Sequence, residues 1–345
     1  MTIQQNYSLL PHNTFGIEAT ARYFITYDSV ADLQDTIQLI HSEYPSMPIL
    51  HIGGGSNLLF LSDYDGIILH SGIKGIDVTI QGDHAYVRVG AAVVWDELVE
   101  FCVNNGYYGL ENLSLIPGEV GASAVQNIGA YGAEAKDVIE SVETVCLQDG
   151  APRIFTNGEC EYAYRSSIFK HDLKGLYAIT HVCFKLPLQF TPQLDYGGIR
   201  NALCNDGITP EKVQAKELRN TIINIRNTKL PDPRIQGNAG SFFMNPVVHR
   251  NVFEKILKDY PNMPFYEIDK EQVKIPAGWL IEQCGWKGKS LGNAAVHDQQ
   301  ALVLVNKGGA KGKDILRLCE TVRSDVKQQF DIDIHPEVNF IGGEA

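Results

Sequence analysis

Ser241, Arg165 and Glu337 are the side chains whose types and settings offer chemistry, beginning with a hydroxyl that can donate a proton or a hydrogen bond. Ser241 lies in Asn238-Ala239-Gly240-Ser241-Phe242-Phe243, inside residues 226–246, a stretch with three prolines and two glycines. That composition forbids a long helix or a central strand. Two readings then stand level. One is a proline-stiffened connector with a phenylalanine anchor. The other is a backbone that approaches a ligand closely, with a serine set against it. Ser241 is outside any G-x-S-x-G elbow, so proton donation suits it better than nucleophilic attack. On residue type alone, Arg165 in Tyr164-Arg165-Ser166-Ser167 is commonly a surface ion-pairing arginine, and Glu337 beside Pro336 a solvated carboxylate at a strand edge. His297 reads as structural or binding, not as a base. No histidine or cysteine cluster has metal-ligand spacing, so no metal is expected.

Two glycine-rich runs add a second kind of chemistry. Gly53-Gly54-Gly55-Ser56-Asn57 follows an apolar strand pattern at Ile49 to Ile52. Without Cβ atoms its amides can converge on an oxyanion, and Ser56 and Asn57 add side-chain hydrogen bonds. The run lacks the trailing Gly-Lys-Ser/Thr of a P-loop and the G-x-G-x-x-G spacing, so a tight turn after a strand is the competing account. The second run, Ile116-Pro117-Gly118-Glu119-Val120-Gly121-Ala122-Ser123-Ala124, continues through Gln126 to Gly132. Together the two could cradle both phosphates of a dinucleotide with amides and hydroxyls in place of Lys or Arg.

The elements that must position these groups read as mixed α and β. Val30, Leu33, Ile37 and Ile40 form a helical stripe behind Asp28-Ser29, a plausible cap. Residues 84–90 alternate as a strand, and Trp95, Leu98, Val99 and Cys102 predict a helix ending at Asn105-Gly106. Two strands are expected between 139 and 186, the clearer with Ala178, Thr180, Val182, Phe184 and Leu186 on one face. Residues 205–228 are helical in part. A second compositional block, 230–330, closes with Ile315, Leu318, Cys319, Val322 and Val326 along one helix side. The tail 332–342 reads as a short strand broken by Pro336.

At 345 residues two or three domains are expected, and three lobes are inferred. A formal charge of -12 argues against wide contact with nucleic acid or an anionic membrane. The N-terminus shows no signal-peptide pattern and no apolar run approaches the length of a span, so a cytoplasmic, soluble protein is expected. Seven scattered cysteines without a CxxC fit reduced, buried thiols.

Taken together, seven motifs in order along nearly the whole chain resemble the UDP-N-acetylenolpyruvoylglucosamine reductase family. They are His-Ile-Gly-Gly-Gly-Ser-Asn-Leu-Leu (51–59), Ile-Pro-Gly through Gly-Ala-Tyr-Gly (116–132) and Tyr-Arg-Ser-Ser-Ile-Phe-Lys (164–170). They continue with Thr-Lys-Leu-Pro-Asp-Pro (228–233), Gly-Asn-Ala-Gly-Ser-Phe-Phe (237–243), Pro-Ala-Gly-Trp-Leu-Ile (276–281) and Pro-Glu-Val-Asn-Phe-Ile-Gly (336–342). The segment Leu194-Asp195-Tyr196-Gly197 is similar to the type I branch, in which a loop tyrosine closes over the substrate.

The resemblance implies an α+β protein with a two-lobed FAD-binding region of the vanillyl-alcohol-oxidase type and a separate α/β substrate-binding domain. Carried onto this chain, lobe 1 is 1–70 joined by the tail, about 331–345, lobe 2 is 71–225 and the UDP-sugar domain is 226–330. It implies FAD as cofactor, NADPH as reductant and UDP-N-acetylglucosamine enolpyruvate as substrate, reduced to UDP-N-acetylmuramate for peptidoglycan. A monomer with no nucleic-acid or membrane partner is expected. Hydride reaches C3 of the enolpyruvyl group and a proton C2, so negative charge develops on the conjugated carboxylate. Ser241 would donate that proton, Arg165 would fork onto the carboxylate, and Glu337 would have to carry or share a proton to assist. FAD would be held by Gly53, Gly54, Gly55, Ser56, Asn57, Pro117, Gly118, Gly121, Ala122, Ser123, Asn127, Gly129, Ala130 and Tyr131. Tyr196, Lys229, Asn245 and Tyr266 match substrate-contact positions. Met244 stands where the family commonly has lysine, which would remove a phosphate contact. Two alternatives stay open: another FAD-dependent sugar or alcohol oxidoreductase, and a nucleotide-sugar binding protein without redox activity.

Overall fold

Backbone pairing divides the chain along different lines from those its composition suggests. In the computed structural model, which describes residues 1–196 and 198–343, two compact units form. The first comprises 1–7, 21–54 and 65–228; the second comprises 8–20, 55–64 and 229–345. Gly197 and positions 344 and 345 of the tail lie outside the described residues.

In the first unit, one sheet runs in the order Thr2–Ser8, Thr20–Tyr27, Tyr64–Ser71, Ile49–Ile52, the last pair parallel. Helix Val30–Glu43 begins as expected, with the Ser29 hydroxyl accepting the Asp32 amide at 3.0 Å. Its Leu33, Ile37 and Ile40 share a buried cluster with Ile67 and Leu69 of that sheet. A five-stranded antiparallel sheet follows, ordered Pro152–Thr156, Ile139–Cys146, Tyr177–Pro187, His84–Gly90, Ile76–Gln81. Residues 139–186 therefore hold three strands, not the two expected. Strand Pro152–Thr156 buries only Phe155, so it carries no apolar alternation to read. The predicted face from Ala178 to Leu186 is buried as a row. Helix Trp95–Asn105 packs Trp95 against Phe184 at 5.8 Å and ends at Gly106 in the left-handed region.

The second unit is organised around helix Gly312–Phe330, whose predicted stripe is fully buried and extends to Phe330. Three-stranded sheets, Val247–His249 with Gln272–Lys274 and Tyr266–Glu267, and Ser290–Leu291 with Ala294–Val296 and Leu304–Asn306, belong to it. The tail forms a strand only at Asn339–Ile341, which pairs in parallel with Leu58–Phe60. Pro336, short of an N–H, makes a single bridge to Phe243 before it. That pairing places the tail in the second unit together with 55–64, a segment drawn from the expected first lobe. The cut at 228/229 falls three residues beyond the expected end of lobe 2. The seven cysteines are free, and Cys102, Cys160 and Cys319 are buried as expected. Burial pushes the Cys102 and Cys319 thiols up to about 12 and those of Cys160 and Cys284 to about 11. Cys204 corrects that expectation: it is exposed, at the polar end of helix Ile199–Asn205. Among the described residues no helix is long and apolar enough to cross a membrane, and no group of acidic, His or Cys side chains could hold a metal.

Candidate active site

The proline-glycine loop of the second unit is a pinned segment. Asn238 accepts the Gly240 amide at 2.9 Å and donates to the Pro231 and Gln236 carbonyls at 3.1 and 2.8 Å. Its amide in turn donates to the Thr14 carbonyl. Gly240 sits at φ +68°, and Ser241 follows it, half-buried. Past Ser241 the Phe242 amide donates to the Leu302 carbonyl, and the Glu337 amide donates to the Phe242 carbonyl, each at 2.8 Å. The Met244 amide reaches the His335 carbonyl at 2.9 Å. Segment 242–244 therefore lies antiparallel to 335–337, which sets Ser241 one residue from the backbone position bonded to Glu337. Phe242 and Phe243 are buried at 0% and 1% exposure and anchor this arrangement against Phe15 and Phe340. Asn57 closes the same corner: its side chain donates to the Glu337 carbonyl at 3.2 Å, and its own carbonyl accepts from the Asn339 amide at 3.0 Å.

Other expected residues of this unit have structural work to do. The Asn245 side chain accepts the Ala277 amide at 2.9 Å, which satisfies an orphan donor at the start of helix Ala277–Gln283. Gly55 has φ +69°, and a Cβ there would lie 1.8 Å from the His12 carbonyl oxygen, so only glycine fits. Lys229, the last residue of helix Ala215–Lys229, is exposed, and so is Tyr266, with the Lys274 ammonium 5.8 Å from its ring centre. Met244 offers a thioether and no cation. His297 accepts the Gln299 and Gln300 amides at 3.3 Å, the structural role expected of it.

In the first unit the two glycine runs meet. A Cβ on Gly53 would lie 3.1 Å from Glu119 Oε2 and 3.5 Å from Ala122 Cβ, and Gly54 also faces Glu119. Pro117 and Ala122 are exposed and Gly118 takes φ +119°, but Gly121 is packed, its virtual Cβ 2.9 Å from Ala91 Cβ. The Ser123 hydroxyl is buried and donates to the Val120 carbonyl at 2.6 Å. Asn127, fully buried, donates to Glu134 and the Ala163 carbonyl and accepts the Lys136 amide. Gly129 and Ala130 form one strand of a short hairpin. Arg165 donates through Nη2 to the Gly129 carbonyl at 2.5 Å, while Lys170 Nζ holds the Arg165 carbonyl at 3.0 Å and Gln126 at 2.8 Å. Asn127, Tyr131 and Arg165 all have positive φ, +47°, +49° and +54°, strain that marks candidate sites when the surroundings enforce it. Tyr196, on its loop, packs at 3.4 Å from the position of a Cβ on Gly132.

Two groups escaped the sequence reading. Glu119 places a carboxylate beside Gly53, with His70 Nε2 at 3.6 Å from it. Beneath that pair, the Tyr27 hydroxyl meets His51 Nε2 at 2.6 Å, and burial with the nearby His70 pushes the His51 pKa down to about 4. The second group is Arg226, half-buried, with its Nε enclosed and without a hydrogen-bond partner. It opens the very stretch 226–246 and lies seven residues, two helical turns, after Arg219. That repeat of arginine on one helix face was its signal. A dinucleotide fits these residues in kind. Meeting glycine loops give close approach, the enclosed Arg226 nitrogen wants an anion, and Glu119 suits a cofactor hydroxyl better than a phosphate.

Residues 232–341 match the family model described as UDP-N-acetylenolpyruvoylglucosamine reductase, C-terminal domain, and residues 21–154 match the one described as FAD binding domain. The UDP-N-acetylenolpyruvoylglucosamine reductase of Bacteroides fragilis strain YCH46 is 57% identical over 98% of this chain and 100% of its own. That of Porphyromonas gingivalis strain ATCC 33277 is 47% identical over 99% and 100%. The crystal structure of the Thermus caldophilus UDP-N-acetylenolpyruvylglucosamine reductase, 22% identical, superimposes with a TM-score of 0.67 over 99% of both chains and shares the fold. With an FAD binding domain ahead of that C-terminal domain and full-length relatives at such identity, the chain belongs to the UDP-N-acetylenolpyruvoylglucosamine reductase family and is an FAD-dependent oxidoreductase.

Proposed function

We propose that this chain reduces UDP-N-acetylglucosamine enolpyruvate to UDP-N-acetylmuramate, a peptidoglycan precursor, with NADPH as reductant. The observation that carries the reading is the backbone pairing of 242–244 with 335–337, which makes Ser241 and Glu337 neighbours. When bound, FAD supplies the hydride that NADPH gives it and that C3 of the enolpyruvyl group takes up. Ser241 then provides the proton for C2. Its hydroxyl makes no hydrogen bond to another described residue, so it is available to a substrate, and Glu337 carries or shares the proton that restores it. Arg165 pairs its guanidinium with the substrate carboxylate as charge builds there. Gly53 and Gly54, with Ser56, Asn57 and the exposed side of 117–131, hold FAD. Tyr196, Lys229, Asn245 and Tyr266 hold the nucleotide sugar, with Lys229 taking the diphosphate in place of the absent lysine at Met244. Three functional lobes, two for FAD and one for the sugar, cut across the two compact units, since 8–20, 55–64 and the tail of the first lobe belong to the second unit. The protein works as a monomer in the cytoplasm.

The test is an absorption spectrum followed by an assay. Purified protein should show flavin bands, and NADPH oxidation should accelerate on addition of UDP-N-acetylglucosamine enolpyruvate. Flavin bands with NADPH oxidation indifferent to that substrate would favour a different sugar or alcohol oxidoreductase. No flavin even after incubation with FAD would leave a non-redox nucleotide-sugar binder.

A further inference from the structure

Arg226 is a cation that the protein leaves incompletely answered. It belongs to helix Ala215–Lys229, the same helix as Arg219, and both are on the side that meets Asp96 and Tyr131. Asp96 is already committed: it takes Arg219 in a fork at 2.7 and 3.0 Å and the Leu115 amide at 2.5 Å. Glu134, on the hairpin strand opposite Gly129, is paired with Lys136 at 2.9 Å. Arg226 is left with the Tyr131 hydroxyl, a neutral partner, and with the field of Asp96. Arg165 adds a further positive charge nearby. Among the described residues Arg226 makes no ion pair, and its Nε is enclosed with nothing to donate to. Burial and the charge of Arg165 both pull its pKa below the ordinary arginine value, and Tyr131 and Asp96 offset that in part.

Burying a charge with an unmatched donor is costly, and a fold keeps it where a bound anion completes the set. Tyr131 ends the second glycine run, so the anion that reaches Arg226 is one held by that run. We propose that Arg226 is a cofactor-binding residue whose guanidinium pairs with an anionic oxygen of bound FAD. That oxygen belongs either to the diphosphate or to the ring edge that carries negative charge after two-electron reduction. Both sources share the chemistry of a planar donor fork meeting a delocalised oxyanion. The assignment rests on FAD dependence of this chain.

The test uses the full-length protein stripped of flavin and reconstituted with FAD. Flavin fluorescence reads the affinity, and equilibration with a redox dye reads the reduced fraction. Arg226→Gln should do one of two things. A tenfold or greater loss of FAD affinity assigns the diphosphate. Retained affinity with the reduced-to-oxidised ratio at least tenfold lower, ~30 mV for a two-electron couple, assigns the ring edge. Arg226→Lys keeps the charge but lacks the fork, and should show a smaller change of the same kind. Wild-type values of both readouts in both variants, or in Arg226→Lys alone where the Gln variant does not fold, would overturn the proposal. So would a change confined to UDP affinity, read as a perturbation of the flavin spectrum. Wild-type protein that binds no FAD would sink the cofactor dependence itself, a result distinct from these.

Discussion

A serine hydroxyl is a very weak acid, so in the proposed reaction Ser241 would protonate C2 only after hydride had reached C3 and made that carbon strongly basic. The two halves of the reaction therefore respond differently to its loss. In Ser241→Ala, NADPH should bleach the flavin at the wild-type rate, and reoxidation by the enolpyruvyl substrate should slow by about 10²–10⁴-fold, the range for a lost general acid. Stopped-flow absorbance reads both steps; equal slowing would make Ser241 a packing residue. Arg165 invites a similar separation. Its guanidinium donates to the Gly129 carbonyl at 2.5 Å, and its backbone lies in the left-handed region. Arg165→Lys keeps the charge but loses the planar fork, and should slow the second half-reaction about 10–100-fold with the first little changed. Unchanged turnover would remove Arg165 from the substrate.

At the level of elements, the loop at 237–244 owes its composition to what it must pass. A Cβ on Gly237 would lie 2.1 Å from the Phe15 carbonyl oxygen, a backbone atom that cannot step aside. Gly237→Ala should therefore destabilise the second unit by about 1–3 kcal/mol, the cost of overpacking a close-packed site. Thermal melting measures this, and an unaltered melting temperature would mean the two segments shift freely. The sequence showed that glycine was needed near Ser241, but not that Gly237 answers to Phe15, more than 200 positions away. The same limit explains the other differences. Helices Val30–Glu43 and Gly312–Phe330 were legible because a 3.6-residue stripe is local information. Strand Pro152–Thr156 was not, because as an edge it buries one side chain. Gly121, Ser123 and Asn127, which the family resemblance gives as cofactor contacts, each also have a packing or hydrogen-bonding role visible only once Ala91, Val120 and Ala163 are in place. Arg226 went unread because its significance is an unmatched donor, a property of three dimensions.

Across the whole molecule, the second unit draws on three separate stretches of chain, 8–20, 55–64 and 229–345, so neither unit can be cut out as one continuous piece. The family motif at 51–59 straddles the boundary between units, at 54/55, which the lobe boundaries carried over from the resemblance do not follow. The first unit carries its own dependence on acid. His51 is buried between the Tyr27 hydroxyl at 2.6 Å and the His70 ring, with Glu119 beyond, and its pKa falls from 6.5 to about 4 on folding. Between those values the unfolded chain takes up a proton at His51 that the folded chain refuses. Stability from this group is therefore complete above pH ~6.5 and is lost as pH falls toward about 4, by about 3 kcal/mol in all. His51→Gln keeps an acceptor for Tyr27 and removes the titration. Urea unfolding of wild type and variant at pH 7, 5.5 and 4 should show the wild type losing about 3 kcal/mol relative to the variant across that range, most of it below pH 6. A difference between the two proteins that stays constant with pH would mean that His51 is already charged in the fold, and that Tyr27 is not the donor in that contact.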